Sequence, residues 1–287
     1  MAHTLRGRVI AITGGSRGIG FAIAREFIRN GAKVAIGAIN DEQLKVAAAE
    51  LGVPCYSTLD VTNPESFRRF IDTVTEQLGP MDALVNNAGI MPVGALVDED
   101  DALSRRALDV DVFGVIVGTK LALQQMIPRR TGHIVNICST MGQVALPGMA
   151  TYNASKAAAL TFTDAARLEH RASGVAVSSI LPGAVNTELV AGLDGSVSLA
   201  IPGTSRRLTI VKHVESEDVA RAVVATVAGG RSRPRVYVPR LAGALMSAQR
   251  ILPLRVAETL NLRMGGENAS FADQDARSTY RRRIGFE

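Results

Sequence analysis

Val9-Ile10-Ala11-Ile12 runs directly into Thr13-Gly14-Gly15-Ser16-Arg17-Gly18-Ile19-Gly20, and this stretch decides the fold. An unbroken apolar run suits a strand buried on both faces. The glycines that follow, Gly14, Gly18 and Gly20, have a spacing with a physical use. The first permits a tight turn, and the other two let backbone approach a ligand and a helix approach a strand. Beyond the turn, Ile19, Ala22, Ile23 and Phe27 share one stripe of a helix expected over residues 18–30. The N-terminus of such a helix offers unpaired N–H groups and its dipole to a phosphate. A glycine turn alone is a weak signal; one that ends the first strand and opens an amphipathic helix is far stronger. The stretch lacks the lysine of an ATP-type phosphate loop, so an adenine dinucleotide fits it better than a nucleoside triphosphate.

The pattern repeats outward from there. Short apolar strands are expected at 8–13, 33–37, 54–58, 83–86, 133–139, 175–181 and 235–238. Amphipathic stretches long enough for crossover helices lie between them, at 18–30, 41–51, 64–78, 101–127 and 150–172. Alternation of this kind predicts an α/β chain with a Rossmann-like doubly wound, mainly seven-stranded parallel sheet and helices on both faces. One catalytic domain is expected over residues 1–240. Residues 184–213 form a substrate-loop excursion within it, since 192–213 breaks the rhythm with glycines, serines and Pro202 just after a strand's carboxyl end. Residues 241–287 read as an extension of short apolar helices, at 241–252 and 255–264, and a polar tail that is mobile.

Composition narrows the function classes. With 287 residues, 47% of them hydrophobic, the chain is long enough to bury a large core. Its two cysteines, Cys55 and Cys138, fall in apolar runs and give no disulfide framework, so a reducing, cytoplasmic compartment is the simplest expectation. The four histidines have no metal-ligand spacing, so no metal is expected, and no apolar run reaches membrane-spanning length. The net charge of +5 is uneven: residues 231–287 carry eleven arginines against five acids, a net +6 that leaves −1 for the rest. Without aromatic platforms among those arginines, a solvated helical extension is preferred to nucleic-acid binding.

The chemistry resides in a triplet. Tyr152 and Lys156 are four residues apart on an expected helix and therefore share a face. A free tyrosine titrates near 10, and a fixed ammonium beside it favours the phenolate and draws that value down. Ser139 follows the apolar run 133–138 and offers a hydroxyl at a strand's carboxyl end, where it can hydrogen-bond a substrate oxygen.

Taken together, Thr13-Gly-Gly-Ser-Arg-Gly-Ile-Gly20, Asn86-Asn87-Ala88-Gly89, Ser139 with Tyr152-Asn-Ala-Ser-Lys156, and Pro182-Gly183 with Thr187 resemble the classical short-chain dehydrogenase/reductase family. The resemblance covers roughly residues 7–240, and the motifs are specific jointly rather than singly. It implies an NAD(P)-dependent alcohol–carbonyl interconversion. It places Thr13, Gly14, Ser16, Arg17, Gly18, Ile19 and Gly20 at the dinucleotide turn, with Asn87, Ala88 and Gly89 lining the cofactor and steadying the sheet. Asp60 and Val61 would border the adenine. Pro182, Gly183 and Val185 would form the wall near the nicotinamide, and Thr187 would contact its carboxamide or a nearby phosphate. Tyr152 is then the general acid for reduction and general base for oxidation. Lys156 lowers its pKa and binds the nicotinamide ribose, while Ser139 orients the reacting oxygen. A regulatory or scaffolding protein that binds the dinucleotide without turnover is the rival reading.

Two positions depart from the family pattern. Leu108-Asp109-Val110-Asp111-Val112-Phe113-Gly114 carries Asp111 where most classical members have asparagine, which in the family holds a water next to the catalytic lysine. Aspartate keeps an acceptor, loses the amide donor and adds a charge, so activity is expected to survive with Asp111 beside Lys156. The second strand continues as Gly37-Ala38-Ile39-Asn40-Asp41, with no acid at Ala38 to repel a 2′-phosphate, and Arg17 is available to pair with one. NADP is therefore modestly preferred, with NAD as the alternative.

The substrate is expected to be a small, moderately hydrophobic alcohol or carbonyl compound. Its walls should come from residues 91–96, 140–149 and 184–213, including Met91, Met141, Val144, Leu146, Met149, Leu189, Leu193, Leu199 and Ile201. Secondary alcohols, steroid-like rings and acyl-chain ketones remain equally open. The alanine-rich helix at 157–168 and the long helix before it imply, by resemblance, a homodimer or homotetramer. For the apolar helices after residue 240 two readings stand: packing over the substrate mouth, with Leu245, Leu252, Leu254, Val256 and Leu260 largely buried, or weak peripheral membrane contact. Pro253 divides the stretch and favours packing.

Overall fold

The computed structural model describes residues 5–187, 189, 197–200, 207–211, 213–249, 251–263, 277, 280–282 and 284–286. The decisive stretch forms β1 (Val9–Thr13), every residue of which is buried, followed by α1 (Gly18–Arg29). The alternation then proceeds through β2 (Lys33–Ala38), α2 (Asp41–Leu51), β3 (Cys55–Thr58), α3 (Pro64–Leu78) and β4 (Ala83–Asn86). Asn40 caps α2 by accepting the Gln43 N–H, and Asn63 followed by Pro64 opens α3, so both helices begin where cap chemistry dictates. Next come α4 (Asp101–Leu108), α5 (Gly114–Met126), β5 (His133–Ile137), α6 (Ala150–Glu169) and β6 (Ala176–Pro182). After these lie a hairpin of β7 (Val197–Ala200) and β8 (Arg207–Val211), then α7 (Ser216–Ala228), β9 (Val236–Val238), α8 (Arg240–Gln249) and α9 (Leu254–Arg263).

The main sheet has seven strands in the order β3-β2-β1-β4-β5-β6-β9, and every pairing in it is parallel. The Rossmann-like doubly wound α/β fold is thus observed. Alternate side chains of β1 feed two cores: Ile10 and Ile12 pack with α1 and α7, whereas Val9 and Ala11 face the layer built by α3 and α5. The chain reverses its winding between β1 and β4, and the crevice above their carboxyl ends is where an open sheet of this kind holds its ligand.

Two local features differ from the sequence reading. The helix expected over 101–127 is interrupted by a π-turn at Asp109–Phe113, which joins α4 to α5 and buries Val110 and Asp111. Such wide turns are common at functional positions. The excursion at 184–213, read only as a break in the strand–helix rhythm, contains the antiparallel β7–β8 pair. Among the described residues no helix is long and apolar enough to cross a membrane.

Candidate active site

The glycine turn owes its shape to its neighbours. Gly18 has φ +54°, which favours glycine, and a Cβ on Gly20 would lie 2.1 Å from the Gly14 carbonyl oxygen. Asn87 braces the turn by donating its side-chain amide to the carbonyls of Thr13 and Gly14 at 3.0 and 3.2 Å. The Thr13 hydroxyl in return accepts the N–H groups of Asn87 and Ala88, each at 3.0 Å. Thr13 and Gly20 therefore stand behind the wall of the cavity, while Gly14, Ser16, Arg17, Gly18 and Ile19 line it. No side chain caps the start of α1, so its first N–H groups face the turn. The cavity measures about 810 Å³ and continues past Ala38, Asp60 and Val61 at one end and Pro182, Gly183, Val185 and Thr187 at the other. A close-packed glycine turn, an uncapped helix start and a cleft of this extent fit a nicotinamide dinucleotide.

The end of β2 bears on which dinucleotide fits. Ala38, Ile39 and Asn40 line the cavity, whereas Asp41 turns to Lys45 at 2.6 Å and to the Thr58 hydroxyl at 3.0 Å. The Lys45 hydrogen bond holds the Asp41 carboxyl below its usual range. Asp60 is likewise occupied, accepting from Thr62 at 2.7 Å with Arg106 3.7 Å away.

Deeper in the cleft, Ser139, Tyr152 and Lys156 are buried together on one wall. Ser139 stands near enough to Tyr152 to favour its phenolate, and the Lys156 ammonium lies 5.6 Å from the centre of the tyrosine ring. Burial pushes the Tyr152 pKa above its ordinary value, and the Lys156 charge opposes the shift without overcoming it. The lysine thus acts in the expected direction, but burial outweighs it and the net shift is upward, a desolvation that the sequence pattern does not show.

Behind Lys156 sits Asp111, with no exposed surface. Its Oδ1 is 3.6 Å from the Lys156 Nζ and accepts the Ile90 N–H at 2.9 Å. Its Oδ2 is 2.9 Å from the Ser155 hydroxyl, which is equally close to the Tyr152 carbonyl. Burial raises the Asp111 pKa, against the pull of Lys156. Burial lowers that of Lys156, but Asp111 and Tyr152 outweigh it and the net shift is upward. These directions conflict, one favouring a neutral acid and the other an ammonium. Oδ1 sides with the ion pair, since it faces both the Ile90 N–H and the Lys156 ammonium; the single Ser155 proton can go to Oδ2 or to the Tyr152 carbonyl and does not decide the matter. Asp111 is absent from the cavity wall and meets it only through Lys156.

A network that the sequence reading missed lies beneath this wall. Asn86 donates to the Asn136 side-chain oxygen at 2.8 Å, and Asn136 donates to the Thr163 hydroxyl at 2.9 Å, all of them buried. Asn136 interrupts the apolar run of β5, and that break was the available signal.

The expected apolar walls converge in part. Met91, Val93, Met149 and Tyr152 form a buried cluster, with Met141, Leu146 and Leu189 packed against it, and Val144 also lines the cavity. Leu96 is 62% exposed and belongs to no wall. Leu193 and Ile201 lie outside the described residues, as does the side chain of Leu199. After β9 the packing expectation fails at Leu252, Leu254 and Val256, which are exposed. Below Pro253, α9 reaches the cavity through Asn261, tied to Gln249 at 2.8 Å, and Leu245 and Leu260 are half-buried. Met264 lies outside the described residues.

The polar tail also departs from the mobile segment expected of it. Arg277 and Tyr280 are buried, and Tyr280, Arg282 and Ile284 line the cavity. Tyr280 accepts the Met91 N–H at 2.7 Å, a contact across 189 residues that no local pattern announces.

Comparison with known proteins agrees with this architecture. The sequence profile of the short chain dehydrogenase family matches residues 8–196. Probable oxidoreductase EphD of Mycobacterium tuberculosis is 32% identical over 272 residues, covering 89% of this chain but 45% of the relative. The chain thus spans less than half the length of that relative. A 3-alpha-(or 20-beta)-hydroxysteroid dehydrogenase of the same organism is 38% identical over 192 residues, 66% of this chain and 73% of its own. Among solved structures, a variant of actinorhodin polyketide ketoreductase with NADPH superposes with a TM-score of 0.72 at 31% identity, covering 83% of this chain and 97% of that one. The chain belongs to the short chain dehydrogenase family, a family of NAD(P)-dependent oxidoreductases.

Proposed function

We propose that this chain interconverts a carbonyl and an alcohol on a moderately hydrophobic organic substrate, with Tyr152 as general acid in reduction and general base in oxidation. The observation that carries the reading is the burial of Tyr152, Ser139 and Lys156 together on one wall, where the dinucleotide cleft meets the apolar cluster. The dinucleotide, when bound along the glycine turn, supplies or accepts the hydride. Ser139 holds the reacting oxygen by a hydrogen bond, and Tyr152 gives that oxygen its proton or takes it back. Lys156 offsets the cost of a buried phenolate and offers an ammonium to a ribose hydroxyl. Asp111 keeps Lys156 charged and in place. The apolar cluster excludes water from the reacting carbon and suits a ring ketone better than a polar sugar. The names of the hydroxysteroid dehydrogenase and the polyketide ketoreductase support a substrate of that size.

NADP(H) is the preferred dinucleotide in this reading. Ala38, Ile39 and Asn40 present no charge where a 2′-phosphate would sit, Asp41 is turned away, and Arg17 lines the same cavity. Residues 1–240 act as one catalytic domain, 184–213 as its substrate excursion and 241–287 as an extension. The chain assembles as a homodimer or homotetramer through α4–α5 and α6, where Leu108, Phe113 and Leu168 are exposed.

One set of measurements tests the reading. Tyr152→Phe should lower turnover of a ring ketone by about a hundredfold or more while NADPH fluorescence titration stays near that of the unaltered chain. NADPH should bind more tightly than NADH, and Arg17→Ala should narrow the gap. Normal turnover in Tyr152→Phe ends the assignment. Dinucleotide binding without turnover of any alcohol or ketone favours a regulatory or scaffolding protein. NADH binding as tight as NADPH ends the cofactor preference.

A further inference from the structure

Met91 occupies a singular position. It follows the Asn86–Gly89 stretch that braces the glycine turn, and its side chain packs in the cluster with Tyr152, Met149 and Leu189. Its backbone is held at both polar groups by residues from the far end of the chain. The N–H donates to the Tyr280 hydroxyl at 2.7 Å, and the carbonyl accepts from Arg277 Nη2, also at 2.7 Å. Arg277 Nη1 reaches the Leu189 carbonyl at 3.2 Å, so one guanidinium holds two segments that both pack in this cluster. Arg277 is 1% exposed and Tyr280 4%, and the guanidinium stands 5.0 Å from the centre of the Tyr280 ring. The pair therefore stacks as one unit and ties together two wall segments that are distant in sequence. One residue upstream, the Ile90 N–H is held by Asp111. Successive amides of one short segment thus answer to the ion pair behind Tyr152 and to the returning residues.

We propose that Arg277 and Tyr280 set the size selectivity of the substrate compartment, as positioning residues that fix the distance between the Met91 and Leu189 walls. The inference rests on reading that compartment as the carbonyl site. Neither side chain needs to touch the reacting carbon. Their effect passes through Met91, whose side chain narrows the space beside Tyr152. Loosening either tie leaves a buried backbone group without its partner and lets the wall withdraw, which admits bulkier carbonyl compounds and grips short ones less well.

The test uses the full chain with NADPH bound and a series of ketones graded from short-chain to fused-ring. Each dissociation constant is read from the change in NADPH fluorescence, with no turnover required. In Tyr280→Phe, which keeps the ring and removes the acceptor, the ratio of short-chain to fused-ring dissociation constants should rise by about tenfold. Arg277→Met should do the same, and Arg277→Lys should recover part of the original ratio. Hydrogen exchange at the Met91 amide should quicken in Tyr280→Phe without a matching change across β1 and β4, which locates the effect. A merely structural role would weaken every ketone alike and leave the ratio where it was. That result, or failure of the unaltered chain to bind any ketone, overturns the proposal. Ketone binding without turnover in the unaltered chain would sink the proposed activity instead, and the ratios would still decide this one.

Discussion

Asp111 shows how much one atom can change at the scale of the residue. An asparagine there would offer the Ile90 N–H the same acceptor, but it would bring no charge to Lys156. The carboxylate raises the pKa of both Tyr152 and Lys156. In Asp111→Asn both should therefore fall. Alcohol oxidation needs the tyrosinate, so its acidic limb should move to lower pH. The alkaline limb, where Lys156 loses its proton, should move the same way, because burial is then unopposed by the carboxylate. A pH profile of kcat/KM for oxidation checks this, and an unmoved profile would show that the carboxylate exerts no field on the pair. Asp111→Ala removes the acceptor as well and strands a buried ammonium, so chemical denaturation should show a loss of about 3–5 kcal/mol. At this scale the sequence was informative about identity and silent about environment. Ser139, Tyr152 and Lys156 could be named from their spacing, but the upward shift of Tyr152 depends on burial, which exists only once the chain is folded.

Elements were legible where their ends have local chemistry. α2 and α3 start and stop as read, since Asn40, Asn63 and Pro64 open them and Gly52, at φ 67°, closes the first. β1 and β4 were readable because strands buried on both faces are apolar up to their last residue, here Thr13 and Asn86. The π-turn at Asp109–Phe113 was not legible, for one extra residue in a helical turn leaves the hydrophobic stripe nearly intact. α9 misled for a different reason: its leucines promise a buried stripe, but only a helix pressed against a neighbour can supply one. Leu254 is 73% exposed and Val256 50%. Replacing both by serine should therefore change unfolding stability by no more than about 0.5 kcal/mol per site, as measured by urea denaturation. A loss several times larger would mean that α9 is covered in solution.

On the scale of the whole molecule, the doubly wound seven-stranded parallel sheet was legible in the alternation of strands and helices. The returning residues did not, since Arg277 sits among polar neighbours and meets Met91 across 186 positions. Assembly belongs to this scale too. Phe113 and Leu168 are 43% and 53% exposed on the helices proposed as the subunit contact. Sedimentation velocity should find a dimer or tetramer, and Phe113→Asp combined with Leu168→Asp should shift it to monomer. A monomeric unaltered chain would remove that contact from the account. The tie between Tyr280 and Met91 also imposes an order on synthesis. The ribosome makes the glycine turn, the catalytic helix and the whole of the main sheet before it makes Tyr280. Domains fold as the chain emerges, N-terminal parts first. A nascent chain can thus hold its dinucleotide cleft while the neighbouring compartment still lacks its last two fastenings, and its wall takes final shape only when residues from the far end come free of the tunnel.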